Sequence, residues 1–284
     1  NMRFVLDDFY RASDGVIATP SLGLQPDFAP AFMRLQQPLP LYTPIEIGVL
    51  PKNYAFSRDV SIIRPHVTLH CVKSGASQAS SASTTTTGVA TFYWPNAARG
   101  GIEIEYPGRY FGGTYGPLVV AADATARGDH ARISGMTLQG PGQFLGPYAN
   151  HAVNAHASFH IENCAIRNWR GRGININVSV NGAPDENLGN SNGARVGPLV
   201  SVYNCGGYGS FLAGGDANML LFTQVSYNEC GTDMASRGGQ YATIAVGRQI
   251  RTVTFNDALP NTLYRLVVEG INCDVVTGPS GATT

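Results

Sequence analysis

The chain has 284 residues, a formal net charge of zero, 13% charged and 43% apolar side chains. No basic block or stripe accompanies that balance, which argues against nucleic-acid binding through phosphates. No apolar run approaches the ~20 residues that span a membrane. The apolar share also excludes a disordered chain. Gly, at 34 residues, is well above average usage and suits short strands joined by tight turns. The length allows one large all-β domain or two ordinary ones. Five cysteines (Cys71, Cys164, Cys205, Cys230, Cys273) form no CxxC pair and no zinc spacing. Cys164, Cys205 and Cys230 are read as small buried side chains stacked at equivalent positions.

In chain order, Asp27 to Leu35 spaces Phe28, Phe32 and Leu35 on one helical face. Asp27 stands at the N-cap, Pro30 fits the first turn and Pro38 ends the pattern. A short amphipathic helix in a cap segment, 1–44, is predicted. Strands follow at Ile45 to Leu50, Val60 to Ile63 and Val67 to Cys71, with turns at Pro51 to Tyr54 and Arg64 to His66. The Ser/Thr/Ala tract from Ser74 to Thr87 reads as an exposed loop. Strand character resumes at Ile102 to Glu105 and Leu118 to Ala121, and a last strand, Leu263 to Val268, precedes a turn-like tail.

Between these lies a repeated phrase. Arg132-Ile133-Ser134-Gly135-Met136-Thr137-Leu138 is echoed by His160-Ile161-Glu162-Asn163-Cys164-Ala165-Ile166, by Ser201-Val202-Tyr203-Asn204-Cys205, and by Ser226-Tyr227-Asn228-Glu229-Cys230. With Ile133, Ile161, Val202 and Tyr227 as equivalents, the steps are 28, 41 and 25 residues. The long step holds an insertion, Asn181 to Val196. Strand, one-residue turn and strand, recurring in this way, predict a strand solenoid of three short strands per unit. Alternation points Phe159 and Ile161 inward and His160 and Glu162 outward. Asn163 and Asn204 occupy turns where Gly135 sits one repeat earlier, and Asn and Gly tolerate left-handed backbone best.

Residues from about Phe4 to Gly231 resemble the pectate-lyase-like right-handed parallel β-helix superfamily, which includes phage tailspikes and related surface proteins. The resemblance is carried by Asp7, Asp8 and Asp14, by the helix at Asp27 to Leu35, by Val49-Leu50-Pro51-Lys52-Asn53-Tyr54 and Arg64-Pro65-His66-Val67-Thr68-Leu69, and by Gly214-Gly215-Asp216-Ala217-Asn218. Lys52-Asn53 departs from it where Gly is commonest, and the segment after Asn256 fits the repeat poorly. The implied fold is all-β: a right-handed single-stranded parallel β-helix over 45–255, a short N-terminal capping helix, and a C-terminal strand and tail at 256–284. The resemblance further implies a polysaccharide partner, a homo-trimer, and an extracellular or virion-associated location. The scaffold alone assigns no chemistry.

Glycoside hydrolysis asks for two carboxyl groups roughly 5–10 Å apart. Uronate lyase chemistry asks for a base and for cations that neutralise the substrate carboxylate. The densest constellation runs from His151 to Arg172. His160 and Glu162 are its candidate base and carboxylate; His156, Arg167, Arg170 and Arg172 are candidate substrate-binding residues, with Trp169 as a stacking platform. The plain alternative is a polar rim with Trp169 packed under a turn. Asp216 is a second catalytic candidate, opposing Asp185 or Glu186 of the insertion, against the alternative that it serves its own turn. Asp123 and Asp129-His130 form a weaker set. No nucleophile elbow, P-loop, dinucleotide fingerprint or His-Glu-x-x-His occurs. No metal or cofactor is predicted; calcium is conceivable, but no acidic cluster requires it.

The expected function is therefore a glycan-interacting, tailspike- or fibre-like protein that binds, and in one reading depolymerises, a cell-surface polysaccharide. A secreted polysaccharide lyase or glycoside hydrolase, and a purely structural spike, are the alternatives.

Overall fold

In a computed structural model the described residues are 2–37, 40, 43–72, 89–96, 100–104, 130–146, 150–155, 157–177, 194–213, 221–222, 225–228, 230, 232–237, 241–246, 253–255, 263–268 and 276–277. Strand formation follows the apolar–polar alternation. In Val67–Cys71 and in Phe159–Glu162 every second side chain is buried and the ones between are partly exposed. In the three main sheets successive strands do not pair with each other. They are dealt out in rotation to three sheets, and pairing within each sheet is parallel.

The first sheet orders Met2–Val5, Ile45–Val49, Val67–Cys71, Ala131–Ser134, Phe159–Glu162, Arg195–Val196 and Leu221–Phe222. The second runs Asn53–Ala55, Ala90–Tyr93, Met136–Gln139, Cys164–Arg167, Val200–Tyr203 and Val225–Asn228. The third runs Val60–Ile62, Ile102–Ile104, Val153–Ala155, Ile174–Asn177, Tyr208–Ala213, Thr232–Arg237, Val253–Phe255 and Val276–Thr277. Register places apolar residues in line. Ile47, Leu69, Ile133, Ile161 and Val196 form one column of the first sheet. Phe92, Leu138, Ile166 and Val202 form one in the second. Side chains from all three sheets meet in a single buried cluster, and removal of that surface from water is the main stabilising term.

An aromatic series runs through this cluster. Phe32 meets Phe56 and Phe92 edge-on, Phe56 stacks on Trp94, and Trp94 lies 5.3 Å from Trp169. Phe32 belongs to the helix Ala29–Arg34, which has Pro30 in its first turn and buries Ala29, Ala31, Phe32 and Met33. The Asp27 carboxylate accepts hydrogen bonds from the backbone amides of Ala29 at 3.0 Å and Ser57 at 3.2 Å. It thereby ties the helix start to the segment after Asn53–Ala55. Two further small sheets are the antiparallel hairpin Val16–Thr19/Gly23–Pro26 and the parallel pair Tyr241–Val246/Leu263–Val268.

This arrangement corrects the fold expected above. The described strands are mostly parallel and almost without helix, but they lie in several sheets and form no closed solenoid, so a single right-handed β-helix is not the fold. The reason lies in the pairing. Ile133 is opposite Ile161 in the first sheet, whereas Val202 is opposite Ile166 and Tyr227 in the second. The repeated phrase had therefore merged two sheets into one column. Sequence separation between partners is also uneven: Ile47 pairs with Leu69, but Leu69 pairs with Ile133. Within the cap segment 1–44, the strand Met2–Val5 pairs with Ile45–Val49 and so joins the first sheet. Leu118 to Ala121 and the tract Ser74 to Thr87 lie outside the described residues.

Sharp corners join first-sheet strands to second-sheet strands. Gly135, Asn163 and Leu199 occupy the same corner in successive strands, with φ of 71°, 48° and 58°. Asn168 and Asn204 share the next corner, at 63° and 54°, and the Asn204 side-chain amide donates to Asn168 Oδ1 at 2.6 Å. Left-handed backbone disfavours a residue such as leucine by about 1–2 kcal/mol, whereas Asn visits it with local hydrogen bonds. Leu199→Asn is expected to raise unfolding free energy by up to ~1 kcal/mol, read from chemical denaturation; a loss would show that the half-exposed leucine side chain outweighs the backbone strain.

A charged pair pins the first helix to the N-terminal segment. Asp14 receives the Arg34 guanidinium on both oxygens and the Arg11 amide at 2.8 Å. Burial alone would raise its carboxyl, but the Arg34 and Arg11 contacts outweigh that and hold it below its ordinary value. A depressed carboxyl contributes stability that is complete above the unfolded-state pKa, about 3.9, and is lost as pH falls through the folded value. Asp14→Asn is therefore expected to be less stable than the parent at pH 7 and to converge with it in acid. Parallel melting curves at every pH would show that the pair does not contribute.

Candidate functional site

Because side chains alternate, the register that buries Ile133 and Ile161 also aligns outward residues. On the first sheet Glu46, Thr68, Arg132, His160 and Arg195 fall in one outward row. The next row holds Gly48, His70, Ser134 and Glu162. His66 and His130 stand one position before their strands, both exposed, with rings stacked 5.7 Å apart.

Two carboxylates organise this face in the same way. Glu46 accepts from Arg3 Nε at 2.9 Å and from His70 Nε2 at 2.8 Å. Glu162 accepts from both Nε and a terminal nitrogen of Arg132, and lies 3.4 Å from His160 Nε2. Each is thus an Arg–Glu–His group bridging neighbouring strands. His160 Nε2 also lies 2.9 Å from the carbonyl oxygen of Gly197. A carbonyl only accepts, so Nε2 is the donor in this contact. The groups are open to solvent, with Arg132 half exposed.

Separation decides what the carboxylates can do. Glu46 and Glu162 lie on strands three steps apart in the sheet, and strands are ~4.8 Å apart, which sets their backbones about 14 Å from one another. That is wider than the roughly 5–10 Å that glycoside hydrolysis needs. Among the described residues no group of three or more His, Cys, Asp or Glu is placed to hold a metal ion. No helix among them is long and apolar enough to cross a membrane.

The remaining predicted site residues are scattered. Trp169 is fully buried, packed on Trp94, and its indole N–H donates to Leu138 O at 3.2 Å. A buried indole offers no face to a ligand, so the stacking platform is corrected to a core residue. Arg167 is buried on the second sheet, donating to Gln139 Oε1 at 3.0 Å and to the Tyr203 hydroxyl at 3.1 Å. Arg170 clamps the carbonyls of Phe144 and Gly146, at 3.2 and 2.8 Å. Arg172 lies beside the third sheet, its guanidinium 3.6 Å from the Phe211 ring centre and bonded to Asn175, and burial lowers its pKa. His151 Nδ1 accepts from the Arg172 amide at 3.0 Å. Of the candidates among the described residues, only His160 and Glu162 are brought together. His156, Asp185, Glu186, Asp216, Asp123 and Asp129 lie outside the described residues.

Arg3, Glu46, His70, Arg132 and Arg195 were not singled out from the sequence. The signal for Arg132 was present, since its position in the repeated phrase is that of His160. The chain matches no known protein-family model and no curated protein.

Trp169→Ala is expected to cost about 3–5 kcal/mol of stability through the cavity it leaves, measured by denaturant unfolding. A loss within 0.5 kcal/mol would return Trp169 to the surface.

Proposed function

We propose that the protein is a glycan-interacting, tailspike- or fibre-like protein that holds a polysaccharide on the outward face of its first sheet. The observation that carries this reading is the duplicated Arg–Glu–His group, Arg3–Glu46–His70 and Arg132–Glu162–His160, on one open face. Between the two groups lie the hydroxyl residues Thr68 and Ser134. Fixed donors and acceptors alternate there over several strands, which suits a ligand rich in hydroxyl groups and extended across the strands. Arg3 and Arg132 are each already paired with a carboxylate, so these groups are a poor match for the dense charge of a nucleic-acid backbone. The carboxylate spacing favours retention of the polymer over hydrolysis. A homo-trimer at a cell or virion surface is proposed from the resemblance alone.

Glu162 is the hinge of the second group. Its loss frees Arg132 from the pair and leaves His160 only its contact with Gly197 O, with little cost to stability because the pair is solvent-accessible. Glycan-array and calorimetric binding with Arg132→Ala, and with His160→Ala combined with Glu162→Ala, are expected to show at least tenfold weaker binding, about 1.4 kcal/mol. Thermal midpoints should stay close to the parent. Unchanged binding across a panel of acidic and neutral glycans would reject the face as the site.

A further inference from the structure

Cys205 and Cys230 follow two paired strands at the same offset. Val200–Tyr203 and Val225–Asn228 are parallel neighbours with Tyr203 opposite Asn228, and each cysteine is the second residue beyond its strand. Cys205 Sγ lies 3.7 Å from Tyr203 O, and Cys230 Sγ lies 3.8 Å from Val202 O, so both sulfurs sit over the same strand end. Neighbouring strands set Cα atoms ~4.8 Å apart, inside the roughly 4.4–6.8 Å that a disulfide spans. Neither is in a disulfide; Cys205 is fully buried and Cys230 partly exposed. Contact with Cys230, together with burial, raises the Cys205 pKa well above its ordinary value. Cys164 does not belong to this pair: it stands opposite Val200, and burial raises its pKa to about 12.

We propose that Cys205 and Cys230 are a disulfide-forming pair, with Cys230 as the entry thiol and Cys205 as the resolving one, closed by exchange with a small disulfide such as oxidised glutathione. Cys230 loses its proton to solvent and attacks one sulfur of oxidised glutathione. That S–S bond breaks, and one glutathione leaves as a thiolate and is protonated. Cys205 then attacks Cys230 Sγ, giving up its proton as the second glutathione departs. Two protein thiols are oxidised by two electrons, and one small disulfide is reduced to two thiols. The exposure difference sets the order, because the oxidant reaches Cys230 and a mixed disulfide there presents its sulfur to Cys205. The product ties the corner after Val200–Tyr203 to the corner after Val225–Asn228, opposing separation of those strands.

The test incubates the folded protein with oxidised glutathione, quenches by alkylation and maps the thiols by mass spectrometry. Trypsin leaves both cysteines on one peptide, Val196 to Arg237, because no Lys or Arg lies between them; cleavage at Asp216 separates them. The expected result is a Cys205–Cys230 bond, the loss of two thiols per chain and a higher thermal midpoint that reductant reverses. Cys205→Ser should accumulate glutathione on Cys230, and Cys230→Ser should take up none at either position. Glutathione retained on Cys230 in the parent chain, a bond from either residue to another cysteine, or two unreacted thiols would each overturn the proposal.

Discussion

Parallel, in-register pairing is the constraint on which the rest of this structure depends. When Ile133 lies opposite Leu69 on one side and Ile161 on the other, each inward position becomes a column of like residues. The column excludes water only if every member is apolar and every strand starts in phase. Phase is set at the corners, where Gly135, Asn163 and Leu199 all adopt left-handed backbone. At Gly135 and Asn163 a corner of one residue turns the chain from one sheet into the next and shifts the alternation by one position, so Ile161 and Ile166, five residues apart, both reach the interior on either side of Asn163. Where the corner residue is Asn, its side chain adds hydrogen bonds along the stack, as between Asn204 and Asn168.

The same register acts on the outer face without being selected there. Arg132 lies beside His160 because Ile133 lies beside Ile161, and the ion pair with Glu162 follows from their being diagonal neighbours. The outer rows are thus a by-product of the inner columns in position, while their chemistry is unconstrained by packing. This is where recognition can be encoded at little cost in stability, since exposed pairs contribute only about 0–1 kcal/mol. It also explains why the dense cluster from His151 to Arg172 does not converge: strand rotation sends His160 and Glu162 to the first sheet, Arg167 to the second and Arg172 beside the third.

Polar side chains close the N-terminal part of the core. The Tyr54 hydroxyl donates to Asp7 at 2.5 Å and accepts from the Leu50 amide at 2.8 Å, while Lys52 pairs with the same carboxylate and lies over the Tyr54 ring. Burial and the Asp7 contact raise the phenol well above its ordinary pKa. Gln36 likewise bridges helix and third sheet, donating to Ser61 O at 2.9 Å and accepting from the Ile63 amide at 3.1 Å. These contacts satisfy groups that would otherwise be buried without partners.

Local chemistry is legible in this sequence because it acts between neighbours in the chain. Alternation at Phe159 to Glu162, the helix at Ala29 to Arg34 with Pro30 in its first turn, and the left-handed corners at Gly135, Asn163 and Asn204 each depend on a few consecutive residues. Sheet membership depends on which strand lies alongside, and Val202 resembles Ile161 in sequence while pairing with Ile166 in space. Apolar alternation looks the same in every sheet, so it carries no label for the partner. Trp169 reads as a surface aromatic beside arginines until packing against Trp94 buries it. The sequence by itself determined the alternation of strands such as Val67–Cys71 and Phe159–Glu162 and the left-handed turns at Gly135 and Asn163, through steric and hydrophobic preferences of short range, although Pro51 to Tyr54, read as a turn, holds the strand Asn53–Ala55. Only tertiary structure decided which outward residues meet, because Arg3 and Glu46, or Arg132 and Glu162, become neighbours through pairing between strands far apart in the chain.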